Sequence, residues 1–340
     1  MAFHDIAGNG RAKTILRLAL GRNRVPNSLL FCGPRGVGKR RTARVLAQAL
    51  NCLNSKDDAC GACGPCRAIE TADKKDKRGN FPDVQEIEIA PDKTVVTIEQ
   101  MQELRRLAYL KPMTGRRRVF IVDQAESMSD DAANSLLKVL EEPPFHTQIV
   151  LLSDNPALIL PTIKSRCQVL TFLPVSDEEV ERALCDNGVD AEKARIIALV
   201  CHGNMEKALG MDWEDIQTER REAWELFQSL AGGGDPAALV RRFAFSRRGA
   251  VKADLERTIE LLSTFGRDAA LLGEKGDPRF LINPDYETGL RSFAESLGPG
   301  RALVFVGLLS GAAASLDRNG HIGALTTSLA AQWLRAADAR

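Results

Sequence analysis

The stretch FCGPRGVGKRRTARVL, residues 31–46, decides how the N-terminal half is read. It follows the apolar run SLLFC (28–32) and leads into TARVLAQAL (42–50), where Val45, Leu46, Ala49 and Leu50 share one side of a helix. Gly33, Gly38 and Lys39 fit G-x-x-x-x-G-K-[ST], with Gly36 between the outer glycines. Strand, glycine loop, lysine and helix in that order form a phosphate cradle rather than a chance glycine turn. Backbone N–H groups and the helix N-terminus face the phosphates, and Lys39 reaches the outer ones. The next position should carry the hydroxyl that helps hold Mg²⁺, and here it is Arg40.

Working outward, DVQEIEI (83–89) alternates like a strand, and TIEQMQELRRLAYL (97–110) is a helix with a Thr97–Gln100 capping box. RVFIVD (118–123) is a buried strand ending in an acid. DDAANSLLKVLEEPP (130–144) is a helix stopped by prolines. QIVLLS (148–153) and CQVLTF (167–172) are expected to be further central strands. Strands alternating with helices predict a mainly parallel sheet covered on both faces. After Pro174 the pattern turns helical: 176–188, 190–203 and 204–211, then a longer helical region broken at 231–238 and 273–285. The expected domains are an α/β P-loop domain over 1–174 with a cysteine module inserted at 52–66, a small helical lid over 175–212, and an all-α domain over 213–340.

The chain has 340 residues, of which 44% are hydrophobic and 27% charged, with net charge +1. No global attraction to nucleic acid or membrane follows from that balance. The N-terminus lacks the apolar core of a secretion signal, which points to the cytoplasm. ALVFVGLLSGAAASL (302–316) is too short to span a bilayer and is expected to be a buried, close-packed helix.

Asp123 ends its strand where P-loop enzymes place a metal-holding acid. Gln124 follows it, and a neutral amide is no general base. Glu126 lies on a different bearing. Ser153, Asp154 and Asn155 follow another strand and should lie near the phosphate site. Cys52, Cys60, Cys63 and Cys66 form C-x7-C-x2-C-x2-C, with Gly61 and Gly64 allowing tight turns. Four thiolates suit structural, tetrahedral Zn²⁺; redox thiols or a vestigial site are the alternatives. KKDKRGN (74–80), Arg116–Arg118 and RRFAFSRRGAVK (241–252) are expected to be solvated surface rather than DNA sites, with Phe243 and Phe245 in a core. Taken alone, Arg166 is an ordinary ion-pair residue or a guanidinium projected into a neighbouring subunit.

SLLFCGPRGVGK, IVDQAESMSDDAANSLLKVLEEPP and PTIKSRC, in this order and with the cysteine insertion, resemble the bacterial clamp-loader subunits of DNA polymerase III, members of the AAA+ superfamily. The resemblance covers about residues 1–212; beyond it only the helical architecture agrees, where the family has a collar used for oligomerisation. Two kinds of subunit compete. The ATP-hydrolysing tau/gamma kind has Thr after the P-loop lysine, Asp-Glu at the strand end, and an arginine in the third lid helix. This sequence has Arg40, Asp123-Gln124 and Glu206, and it ends at 340 without the long tau extension. The pattern falls with the delta-prime kind, a largely non-hydrolysing stator.

The resemblance then implies a degenerate nucleotide site at Gly33, Gly36, Gly38, Lys39 and Asp123. ATP and Mg²⁺ would be held by neighbouring subunits, and Arg166 would act in trans as an arginine finger. The implied partners are tau/gamma and delta subunits, with the sliding clamp and primed DNA reached through the complex, and no membrane. An active tau/gamma-like ATPase tolerating Arg40, and an AAA+ adaptor using the zinc module for recognition, remain the rivals.

Overall fold

The computed structural model describes residues 1–71, 81–231, 237–244, 250–297, 299–317 and 321–338. The segment 74–80 and Phe245 lie outside them. The chain divides into two compact units: Met1–Ala194 with Cys201–Leu209, and Arg195–Val200 with Gly210–Arg340.

The first unit begins with α1 (Gly10–Gly21), β1 (Ser28–Cys32), α2 (Lys39–Asn51) and α3 (Gly64–Glu70). Next come β2 (Val84–Ile87), α4 (Ile98–Ala108), β3 (Arg118–Val122), α5 (Asp130–Glu141) and β4 (Thr147–Ser153). α6 (Pro161–Lys164), β5 (Gln168–Thr171), α7 (Asp177–Asp186), α8 (Ala191–Cys201) and α9 (Met205–Gly210) follow, with Arg195–Val200 of α8 and Gly210 of α9 belonging to the second unit. The strands form one parallel sheet in the order β2-β3-β4-β1-β5. Every residue of β1, β3 and β4 is buried. Their side chains alternate between two cores: Leu29, Phe31, Val119 and Ile121 join the α2 side, while Leu30, Phe120 and Val122 join the α5 side. That period of two across a doubly covered sheet is why these segments read as continuous apolar runs.

Local signals placed the helices well. At α4 the Thr97 N–H donates to Gln100 Oε1 at 3.0 Å, the capping-box bond expected there. Ser129, Ser176 and Asp190 accept backbone N–H bonds at the starts of α5, α7 and α8. One strand expectation fails. β5 is not central: it pairs only with β1, at the sheet edge, and three of its four residues are exposed.

The arginine triplet at 116–118 departs from expectation in part: Arg116 is exposed, but Arg117 is half-buried and Arg118 fully buried. Arg118 is buried with Asp83, Nη2 to Oδ1 3.1 Å. Asp83 also accepts the backbone N–H groups of Met113, Thr114 and Gly115 at 2.7–2.8 Å. Burial by itself would raise the Asp83 pKa, but these N–H groups and Arg118 bring it below the usual carboxylate range. Arg116 donates to Cys52 O, and Arg117 to Asn27 Oδ1 and Phe145 O. The triplet fastens the loop that enters β3.

The second unit holds α10 (Trp213–Ala231), α11 (Ala237–Ala244), α12 (Ala250–Gly273), α13 (Glu287–Leu297), α14 (Pro299–Asp317) and α15 (Ile322–Asp338). Its core stacks Trp224, Phe227, Phe265, Phe305 and Trp333, and Phe243 is buried in it as expected. α14 corrects the expectation for 302–316. Ala302, Phe305, Leu309, Ala312 and Leu316 are buried, but Leu303 is 59% and Val304 47% exposed. The helix is apolar all round and buried on one stripe only. No single helix among the described residues is long and apolar enough to cross a membrane.

Candidate functional site

The loop between β1 and α2 is shaped by glycines whose neighbours leave no room for a side chain. Gly36 has φ +77°, and a Cβ there would stand 1.7 Å from Asn204 Oδ1. A Cβ on Gly33 would stand 2.2 Å from Phe172 O. The loop lies at the C-terminal edge of the sheet and opens on a cleft of about 870 Å³. Lys39, Arg40, Asp123, Asp154, Glu88 and Glu206 all line it. Sequence reasoning brought Lys39, Asp123 and Glu206 to one place, and the structure does the same.

The charges of the cleft are paired with one another. Lys39, only 6% exposed, places Nζ at 2.6 Å from Gly33 O, Pro34 O and Asp154 Oδ1. Arg40 reaches Asp123 Oδ2 at 2.5 Å and Glu88 Oε1 at 2.8 Å. Burial alone would lower the Arg40 pKa; Asp123, Glu88 and Glu86 outweigh it and raise it. One turn further along α2, Arg44 pairs with Glu86. Arginines four apart on a helix and glutamates two apart on a strand both repeat at about 6–7 Å. Arg40 and Arg44 therefore form a two-rung ladder with Glu88 and Glu86.

Mg²⁺ with a nucleotide, which the loop motif implies, does not fit this arrangement. The hydroxyl that would help hold the metal is absent, Asp123 is taken by a guanidinium, and the ammonium of Lys39 has no N–H left to give. Gln124, with φ +48°, turns the chain sharply after Asp123. Glu126 approaches the site more closely than its bearing in the sequence suggested. Its Oε1 accepts the Asp154 N–H at 3.0 Å, which holds it as a structural acceptor. The α9 N-terminus closes the other side: the Met205 and Glu206 N–H groups donate to Gly36 O at 2.9 and 3.2 Å. The role of Asp154 was missed in sequence, although its position after β4 put it near the loop. Glu88 was missed entirely.

Arg166 does not line this cleft. It sits in the turn between α6 and β5, where Nε donates to Glu141 Oε1 at 2.9 Å and Nη1 to Thr162 O at 2.9 Å. The segments LLKVLEEPP and SRC, far apart in sequence, thus meet through Glu141 and Arg166.

At the C-terminal end of α2, Cys52, Cys60, Cys63 and Cys66 bring their sulfurs within 4.8 Å of one another. A tetrahedron with metal–sulfur bonds of about 2.3 Å has edges of about 3.8 Å, so the four could hold a metal ion. Gly61, at φ +68°, makes the turn, and the Cys63 N–H donates to Cys60 Sγ at 3.3 Å. Backbone N–H groups of Ala62 and Cys63 lower the Cys60 thiol to about 6, while burial raises that of Cys66. Gln48 braces the module through Cys66 O at 2.8 Å.

A family described as DNA polymerase III, delta subunit, matches residues 8–176. The Bacillus subtilis DNA polymerase III subunit delta' is 32% identical over 211 residues, covering 62% of this chain and 61% of that protein. The chain belongs to the clamp-loader subunit family of DNA polymerase III. Gamma/tau subunits of the same family match as well. The Mycobacterium tuberculosis gamma/tau subunit is 36% identical over 172 residues, 50% of this chain and 28% of its own length. The Buchnera aphidicola gamma subunit is 32% identical over 216 residues, 62% of this chain and 57% of its own. This clamp-loader chain spans about three-fifths or less of these relatives. A parallel sheet with helices, followed by a mostly helical region, is the arrangement expected from the sequence.

Proposed function

We propose that this chain is a delta-prime-type subunit of a bacterial clamp loader, a stator that hydrolyses no ATP itself and works in the cytoplasm. The observation that carries the reading is Arg40 bridging Asp123 and Glu88, a guanidinium where a hydrolysing subunit needs Mg²⁺. Gln124 in place of a water-activating acid, and Glu206 on the cleft wall, point the same way. The partners are tau/gamma and delta subunits, and through them the sliding clamp and primed DNA. Arg166 is offered to ATP held by an adjacent tau/gamma subunit. There a guanidinium stabilises the charge of phosphoryl transfer; Glu141 holds the side chain ready at its turn. The second unit serves as the collar. Zn²⁺ fills the four-cysteine site as a structural ion, since four thiolates leave no open position for chemistry.

ATP turnover by the purified chain, alone and with tau/gamma and delta subunits, tests this. The chain alone is expected to be inert and to co-purify with both partners. Turnover by the isolated chain that disappears in Lys39→Ala would replace the stator with a hydrolysing subunit. Folded chain that fails to join the complex would remove the clamp-loader role.

A further inference from the structure

We propose that Asp154 is an internal occupant of the phosphate position, closing the cleft to nucleotides by supplying Lys39 with the chain's own carboxylate. This rests on the stator reading and says what keeps the loop empty although its lysine is present.

An ammonium has three N–H donors. Lys39 Nζ has three acceptors at 2.6 Å, and Asp154 is the only anion among them. A nucleotide phosphate would therefore have to displace a carboxylate from a lysine that is almost wholly buried. The Asp154 main chain is fixed by its N–H bond to Glu126 Oε1, which keeps the carboxylate within reach of Lys39. The loop is also held from the far side, where Gly36 O accepts the first N–H groups of α9. That contact brings Glu206 to the cleft wall, adding a second negative charge against phosphate.

The remaining features of the cleft still suit a polyphosphate. Arg35 and Arg41 line it and are exposed. Arg40 already occupies Asp123, the acid that would hold a metal, so a nucleoside diphosphate admitted here would bind without a divalent metal. Removing the Asp154 carboxylate should turn a closed loop into a metal-independent site for such ligands.

Titration calorimetry of the full chain with ADP, in EDTA and again with Mg²⁺, tests this. Wild type should show no saturable binding. Asp154→Ser should gain roughly ten- to hundredfold in affinity, the worth of one charge-assisted hydrogen bond regained by the ligand. The gain should be equal with and without Mg²⁺. Asp154→Asn preserves size and should gain less; it carries the test if the serine variant does not fold. Hydrogen exchange over residues 33–41 should slow on adding ADP to the variants and stay unchanged in wild type. Wild type binding ADP as tightly as the variants overturns the proposal, as does failure of a folded variant to bind. ADP binding by wild type without turnover sinks only this inference, whereas ATP turnover by wild type sinks the stator reading.

Discussion

The two ends of α2 carry opposite solutions to one electrostatic problem. At its N-terminus, Lys39 and Arg40 add positive charge where the helix dipole is already positive. Asp154, Asp123 and Glu88 answer them from within the chain. At its C-terminus, Cys52 and three further thiols gather within 4.8 Å, at the negative end of the dipole. Four like groups, once ionised, repel one another, and a shared cation would offset that repulsion. One end has drawn its counter-charges from neighbouring strands; the other has a donor set that could hold a metal ion. Recognising the motif at each end is not enough to tell these apart; the partners of each side chain decide.

Removing the metal should show the largest effect. Chelation, or Cys63→Ser, should release about one zinc per chain and lower the melting temperature. Structural zinc sites in small peptides contribute roughly 10–16 kcal/mol, an upper bound for a module also braced by Gln48. Metal analysis of native protein that finds none would erase the contrast between the ends of α2.

Next in size is Arg166→Ala, measured as ATP turnover of the reconstituted complex. Arginine fingers are worth about 10³–10⁵ at a single site. The fall should be smaller for the whole assembly, because other sites keep theirs. Unchanged turnover and clamp loading would remove the trans role of Arg166.

Asp83→Ala should cost about 3–5 kcal/mol, since it strands a buried Arg118. The same pair sets an acid limit. Because the folded Asp83 pKa is depressed, its contribution is complete above the unfolded value of about 3.9 and is lost as pH falls through the lower folded value. Urea melts of wild type and Asp83→Asn across that range should converge in acid.

The smallest effect is expected from Arg40→Thr. Its ion pairs are partly exposed, so stability should change by no more than about 1 kcal/mol. Weak Mg²⁺ binding at Asp123 and Glu88 should appear by calorimetry. If the variant binds none, Arg40 is not what keeps the metal out.

Much of the first unit could be read from sequence because its signals are local. Caps, prolines and glycines placed α4, α5 and α7 within a residue or two, and the tight C-x2-C spacing announced the cysteine site. What escaped depends on pairing across long separations. Glu88 meets Arg40 from 48 positions away, and only the matched spacing of Arg40/Arg44 with Glu86/Glu88 hints at it. Arg118 looked like surface because charge in a run is usually solvated; three backbone N–H groups converging on Asp83 made its burial possible. β5 looked central because Val169, Leu170 and the following Phe172 are apolar, but at the sheet edge Val169 is left exposed. In α14, abundant glycine and alanine suggested burial all round, but composition does not say how many faces a helix has covered.

The contact between Gly36 and Asn204 bears on how such chains are recognised from sequence. A side chain at Gly36 would strike the amide that caps α9, whether or not any phosphate ever arrives. The glycine is therefore required by a neighbouring helix. A search that counts it towards a nucleotide site scores an architectural need as a chemical one. In this chain the glycine loop reports that α9 docks, and Arg40, the residue after the lysine, is the one that reports on the chemistry.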